Sequence, residues 1–153
     1  MFVPKAPLAY VFHMDFTKVK TSIDTRIVLV RSIYERNIGA TSRAMSNMGF
    51  KKLILIDPKC EITFEAQQAA ATGQDGLQNR TVYSSWDEFF KHVPQGIRIA
   101  LTAKDGRRRA VQDLKTSLES LDANSPILAE AAADANSPAV PLHLIFGPED
   151  WGL

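Results

Sequence analysis

Asn37, Gly39 and Arg43 follow one another as Asn-x-Gly-x-x-x-Arg, shortly after an apolar run. An asparagine side chain donates and accepts hydrogen bonds at once. A glycine lets a backbone approach a ligand closely. An arginine presents a planar fork matched to phosphate. Together they suit a polar ligand that carries phosphate. The same three also read as a helix cap, a tight turn and a solvated arginine, because single capping residues are common. They are not a dinucleotide fingerprint, which needs three glycines in G-x-G-x-x-G, and they lack the lysine of a P-loop. A second group closes the chain in the run FGPEDWGL, residues 146–153. There Glu149 can accept hydrogen bonds from a ribose or anchor a loop, and the structural alternative is an ordinary Gly-Pro turn. Lys104, Arg107, Arg108 and Arg109 form the one obvious basic cluster. It reads equally as an RNA contact or as a solvated loop.

The hydrophobic pattern shows what must hold these groups. Ile27, Val28, Leu29 and Val30 read as a strand buried on both faces, and residues 53–56 as a second one. Between them, residues 32–37 read as a polar loop and 39–48 as a helix. Its core stripe is expected at Ala40, Ala44 and Met48. Gly49 stands where a left-handed helix stop is least strained. Strand, helix and strand at this spacing make one βαβ unit, with parallel strands and a right-handed crossover. The loop at the carboxyl end of the first strand is then the usual ligand site. Asn37, Gly39 and Arg43 fall in that loop and the first helical turns.

Downstream, residues 63–72 read as an Ala- and Gln-rich helix ended near Gly73, and 81–83 as a short strand. Ser85 and Glu88 are spaced as a capping box for a helix starting at Trp86. Residues 97–103 read as a strong strand. Val111, Leu114, Leu118 and Leu121 mark an amphipathic helix. Ser125 and Pro126 suit an N-cap and first helical position. Residues 136–141 read as a linker and 142–146 as the last strand. Residues 1–25 read as an irregular extension, and 26–153 as the domain. Alternating strands and helices argue an α/β fold, with a mostly parallel, Rossmann-like sheet and helices on both faces.

The chain has 153 residues and a formal net charge of +1. That suits one domain with a real core, and any surface for nucleic acid must be local. Cys60 is the only cysteine, which excludes a disulfide framework and a cysteine zinc site. His13, His92 and His143 share no metal-ligand spacing, so no metal is expected. No apolar run approaches the roughly 20 residues of a membrane helix. The N-terminus lacks a signal-peptide pattern. A cytoplasmic protein is expected.

NIGATSRAM after a strand, with a closing FGPEDWGL, resembles the first and second motifs of the SpoU-type branch of the SPOUT superfamily of RNA methyltransferases. The layout between them is also similar: an Ala-rich helix after Pro58, the Trp86 helix and a strand ending Leu101–Thr102–Ala103. The resemblance covers roughly residues 25–153. It is nearest the branch that methylates ribose in the tRNA anticodon loop.

The resemblance implies methyl transfer from S-adenosylmethionine to a ribose 2′-hydroxyl of RNA, tRNA rather than rRNA, by a homodimer. It implies a sheet whose C-terminal part is tied in a trefoil knot, an exception to the rule against knots. Carried over by position, Arg43 matches the family's catalytic arginine. A guanidinium stays protonated, so we assign it phosphate binding and charge stabilisation in place of general base. Asn37 would orient the ribose or the arginine, and Glu149 would shape the site. Leu101, Thr102, Ala103 and Gly147 match segments along the cofactor. Arg43, Lys104, Arg107 and Arg108 would meet RNA. This chain departs from the family at Pro148, where the second motif often has arginine. The third motif, an Asn-, Leu- and Ser-rich segment completing the knot, does not appear before Leu153. The knot is therefore expected to be incomplete in this chain, and cofactor affinity is expected only with that segment present. Two alternatives keep the fold and drop the reaction. One is an inactive α/β module that binds RNA or a protein partner. The other is a small-molecule-binding Rossmann-like domain.

Overall fold

The computed structural model describes residues 22–102, 112–121, 125–134 and 136–148. Strands β1 (Ile23–Val30), β2 (Lys52–Ile56), β3 (Thr81–Tyr83), β4 (Ile97–Leu101) and β5 (Val140–Phe146) form one sheet in the order β3-β2-β1-β5-β4. Every pairing among them is parallel. The helices are α1 (Glu35–Asn47), α2 (Phe64–Ala70), α3 (Gln74–Gln78), α4 (Trp86–His92), α5 (Leu114–Glu119) and α6 (Pro126–Ala133). The last strand does not extend the sheet. It enters between β1 and β4, so Gly147 follows beside the end of β1.

Alternate strand residues feed opposite faces, as the pleat requires. Ile27, Leu29, Leu53 and Leu55 pack with Ile38 and Met45 of α1, Ala66 and Ala70 of α2, and Leu77 of α3. Val28, Val30, Ile54, Ile56 and Ile145 pack on the other face with Phe89 of α4 and Val93. Ile97, Val140 and Leu142 pack with Leu128 and Ala131 of α6 and with Leu118 and Leu121 at α5. Helices therefore cover both faces of a parallel α/β sheet. The continuous apolar runs of β1 and β2 follow from this double burial.

Local signals placed the strands and most caps. Gly49 has φ +77°, and nothing lies within 4 Å of the Cβ it lacks, so backbone conformation alone calls for glycine there. Ser85 Oγ accepts from Glu88 N at 3.2 Å, and Ser125 and Pro126 open α6. The capping box is shifted by one residue on its return side. The Glu88 carboxylate accepts from the Ser84 amide at 2.6 Å and the Ser84 hydroxyl at 2.7 Å.

Other expectations need correction. The helix expected over 39–48 starts at Glu35, so Asn37 lies inside α1 and not in a loop. Ala40, Ala44 and Met48 are exposed, and the buried face is Ile38, Gly39, Ser42 and Met45. Two of those four are not apolar. They are small, and smallness brings α2 and α3 close. The helix expected over 63–72 is α2, capped at Thr63 and stopped at Ala71 with φ +46°, and the unanticipated α3 follows it after Gly73. β1 begins at Ile23, three residues inside the segment read as irregular, because Ile23, Asp24 and Thr25 pair with Val140, Pro141 and Leu142. β5 begins at Val140, inside the expected linker. Pro141 is tolerated because the register with β4 starts one residue later, at Leu142.

His143 adds a pH dependence. It is fully buried on the α4 face, in register with Arg26 of β1 and Arg98 of β4. Its Nδ1 lies 3.3 Å from the Ile97 carbonyl, which fits a donated hydrogen bond. Phe89 meets the ring edge-on at 5.6 Å. Burial pushes the imidazole pKa below its ordinary value. The two guanidiniums add to this, while the Ile97 carbonyl and Asp24 oppose it. The unfolded chain then takes up a proton that the folded chain refuses. This contribution is neutral above the ordinary histidine pKa of about 6.5 and destabilises as pH falls below it. Urea unfolding at pH 5 and pH 7.5 should show a loss at acid pH that shrinks in His143→Gln. An equal loss in both proteins would remove His143 as its source.

Candidate functional site

The site forms where β1, β5 and β4 end. Leu29 and Leu101 both register with Phe146, so Val30, Gly147 and Thr102 come next to one another at the carboxyl edge of the sheet. Thr102 and Gly147 are half-buried there. The adjoining loops are tightly laced. Arg31 N donates to Ile56 O at 2.8 Å, Asp57 N to Tyr83 O at 2.8 Å, and Lys59 N to Ser32 O at 2.8 Å. Arg31 and Asp57 both take left-handed conformations, at φ +54° and +50°, directly after adjacent strands. Such non-glycine strain persists only where the surroundings impose it. Their side chains lie 3.6 Å apart.

From this edge α1 runs back along the sheet. A cavity of about 380 Å³ opens at its first turn, lined by Tyr34, Glu35, Arg36 and Asn37 on one side and by Cys60, Glu61, Thr63 and Glu65 on the other. Glu35 bridges the two walls. Its carboxylate accepts from the Thr63 amide at 2.6 Å, the Thr63 hydroxyl at 2.8 Å and the Ala66 amide at 3.3 Å. The Thr63 hydroxyl and amide, helped by Ala66, hold that carboxyl below the usual carboxylate range.

Asn37 lines the cavity and is exposed. Arg43 is also exposed, further along α1. Six residues of helix separate them, about 9 Å along the axis and about 120° around it. One α1 helix therefore does not aim both side chains at one point. Gly39 does not face a ligand. A Cβ there would sit 2.1 Å from the Ala66 carbonyl oxygen, so Gly39 lets α1 pack against α2. Gly73 plays the same part against Arg43 Cα, at 2.5 Å, and Ser42 Oγ donates to the Gly73 carbonyl at 2.5 Å. Leu101 ends β4 beside Thr102. Ala103, Lys104, Arg107, Arg108 and Glu149 lie outside the described residues. Sequence reasoning missed Glu35 and its hold on Thr63. A glutamate in a first helical turn signals only a favourable end charge. Among the described residues, no three His, Cys, Asp or Glu side chains gather as a metal site.

Strand ends side by side can meet a polar ligand through main-chain groups, and the cavity at the head of α1 offers the Asn37 amide. The model of the SpoU rRNA methylase family matches residues 24–153, which takes in nearly all of this sheet and its edge. The chain belongs to that family. Within it, the chain is 29% identical over 128 residues to a tRNA (cytidine-2′-O-)-methyltransferase TrmJ of Methanocaldococcus jannaschii, across 83% of this chain and 50% of the relative. It is 30% identical over 135 residues to the tRNA (cytidine/uridine/adenosine-2′-O-)-methyltransferase TrmJ of Pseudomonas aeruginosa, across 84% of this chain and 45% of the relative. The fold is similar to the crystal structure of TrmJ from Z. mobilis ZM4, with a TM-score of 0.62 and 24% identity, over 84% of this chain and 51% of that one. The chain thus spans about half the length of the curated SpoU relatives it matches.

Proposed function

We propose that this SpoU chain supplies the core of an RNA methyltransferase that methylates a ribose 2′-hydroxyl of tRNA with S-adenosylmethionine. One observation carries the reading: the family match takes in the carboxyl edge of the sheet, where Thr102 and Gly147 follow adjacent strands, and the head of α1, where Asn37 lines a cavity. Those adjacent, half-buried strand ends suit a cofactor held by backbone contacts, with Leu101, Thr102, Ala103 and Gly147 as its neighbours. When bound, the cofactor brings an activated methyl group, which leaves the protein mainly a positioning task. Asn37 orients the ribose through its amide. Arg43 binds the adjoining phosphate and stabilises the negative charge that grows as the hydroxyl loses its proton. Glu149 shapes the site, and Lys104, Arg107 and Arg108 bind RNA backbone.

The angular separation of Asn37 and Arg43 supports a homodimer in which one chain's Arg43 completes the site of the other. The exposed Ala40, Ala44 and Met48 face of α1 suits such a contact. The names of the relatives favour tRNA over rRNA. A cytoplasmic location fits that substrate.

Labelled methyl transfer to bulk tRNA, followed by nucleoside mass spectrometry, tests the proposal. It is run on this chain and on the chain extended through the expected third motif. The methyl group is expected on ribose. A methyl group on a base would overturn the reading.

A further inference from the structure

The amino end of α1, ahead of the buried Ile38, has no cap of its own. Tyr34, at the N-cap, makes no side-chain capping bond. The neighbouring pair Arg36–Glu65 is long, at 3.7 Å, and exposed, the kind of pair that contributes little. Deeper along α1, the turn at Gly39 is pressed against Ala66, and Ser42 is bonded to Gly73. Between the open end and that packed seam stands Glu35, four residues before Gly39 and two before Asn37. Its carboxylate takes the amides of Thr63 and Ala66 and the hydroxyl of Thr63. Thr63 is itself the N-cap of α2 and accepts from Glu65 N at 3.4 Å. One carboxylate thus serves the amino ends of two helices, each of which favours a negative charge.

We propose that Glu35 is a positioning residue for the methyl-transfer reaction: its clamp on Thr63 and Ala66 holds the first turn of α1, and with it Asn37, against the carboxyl edge of the sheet. The inference rests on the ribose-methylation reading. Release of the clamp frays residues 35–37 and leaves Ile38, Gly39 and everything beyond packed. The effect therefore falls on the reaction more than on the fold. Misplacement of a positioning group by about 1 Å can cost up to a hundredfold in rate.

Glu35→Ala is expected to lower kcat for tRNA methylation by about tenfold or more. KM for the methyl donor should stay unchanged. Glu35→Gln keeps an acceptor for the Thr63 amide and hydroxyl and should restore most of the rate. Thr63→Ala should reproduce part of the loss, and the double variant should be no worse than Glu35→Ala, as for partners in one contact. Hydrogen exchange should quicken at Asn37, whose amide bonds Tyr34 O at 3.1 Å, in Glu35→Ala and stay slow at 42–45. Parental kcat in Glu35→Ala overturns the inference. So does a loss that Gln does not restore, or one that tracks a general loss of melting temperature. If neither this chain nor the extended one transfers a methyl group, the proposed function falls, and hydrogen exchange alone then decides. Quicker exchange at Asn37 supports the clamp, and unchanged exchange there overturns it.

Discussion

Arg43→Ala is expected to lower methyl transfer to tRNA by about a hundredfold or more, with the fold intact. That is the usual loss when a preorganised stabiliser of developing charge is removed. The structure separates the side chain from packing. Arg43 is exposed, while the buried face of α1 is built from Ile38, Gly39, Ser42 and Met45. Among the described residues, Arg43 is engaged through its backbone, against Gly73, and alanine leaves that contact unchanged. Alanine is also a better helix former than arginine. Stability should therefore stay within about 0.5 kcal/mol, as for most surface changes. Arg43→Lys keeps the charge without the fork and should recover only part of the rate. Single-turnover transfer and thermal melting separate the outcomes. Near-parental turnover would remove Arg43 from the site. A large fall in melting temperature would return it to a structural role. Mixing Arg43→Ala with Asn37→Ala chains adds a test of the dimer, since shared sites would regain activity in the mixture.

Gly39→Ala is expected to destabilise the protein by about 2 kcal/mol or more, from the upper part of the range for overpacked cores. The added Cβ would lie 2.1 Å from the Ala66 carbonyl oxygen and 2.9 Å from both Ala66 C and Ala69 Cβ. Carbon atoms in contact prefer roughly 3.5–4 Å. The obstacle is backbone, so no rotamer change relieves it, and α2 as a whole must retreat. Replacing glycine inside a helix returns about 1 kcal/mol of propensity. That offsets only part of the clash. Gly39→Val adds branching and no further relief, and should leave little folded protein. Denaturant unfolding measures the change directly. A midpoint equal to the parent's would mean that the α1–α2 seam has room. Retreat of α2 would also pull Thr63 from Glu35, so a folded Gly39→Ala protein should share the catalytic loss of Glu35→Ala.

Much of the fold was legible because its signals are local. Ile27 to Val30 and Leu53 to Ile56 are continuous apolar runs, and a chain with two such runs around a helical segment has few ways to bury them. Gly49 announced a left-handed stop, and Ser85 and Pro126 announced helix starts, because each acts on neighbours within four residues. The motif pair at 37–43 and 146–153 named the family for the same reason, since each motif is a contiguous string. Tertiary structure alone decided the rest. It set β5 between β1 and β4, which brings Gly147 beside Thr102. It turned Ala40, Ala44 and Met48 outward and put Gly39 and Ser42 inward, because the space between α1 and α2 selects for small volume and not for hydrophobicity. It changed Gly39 from a ligand-facing residue into a packing one. It also joined Glu35 to Thr63. That bond crosses 28 positions of sequence, and no periodicity reports where a returning chain will place its donors.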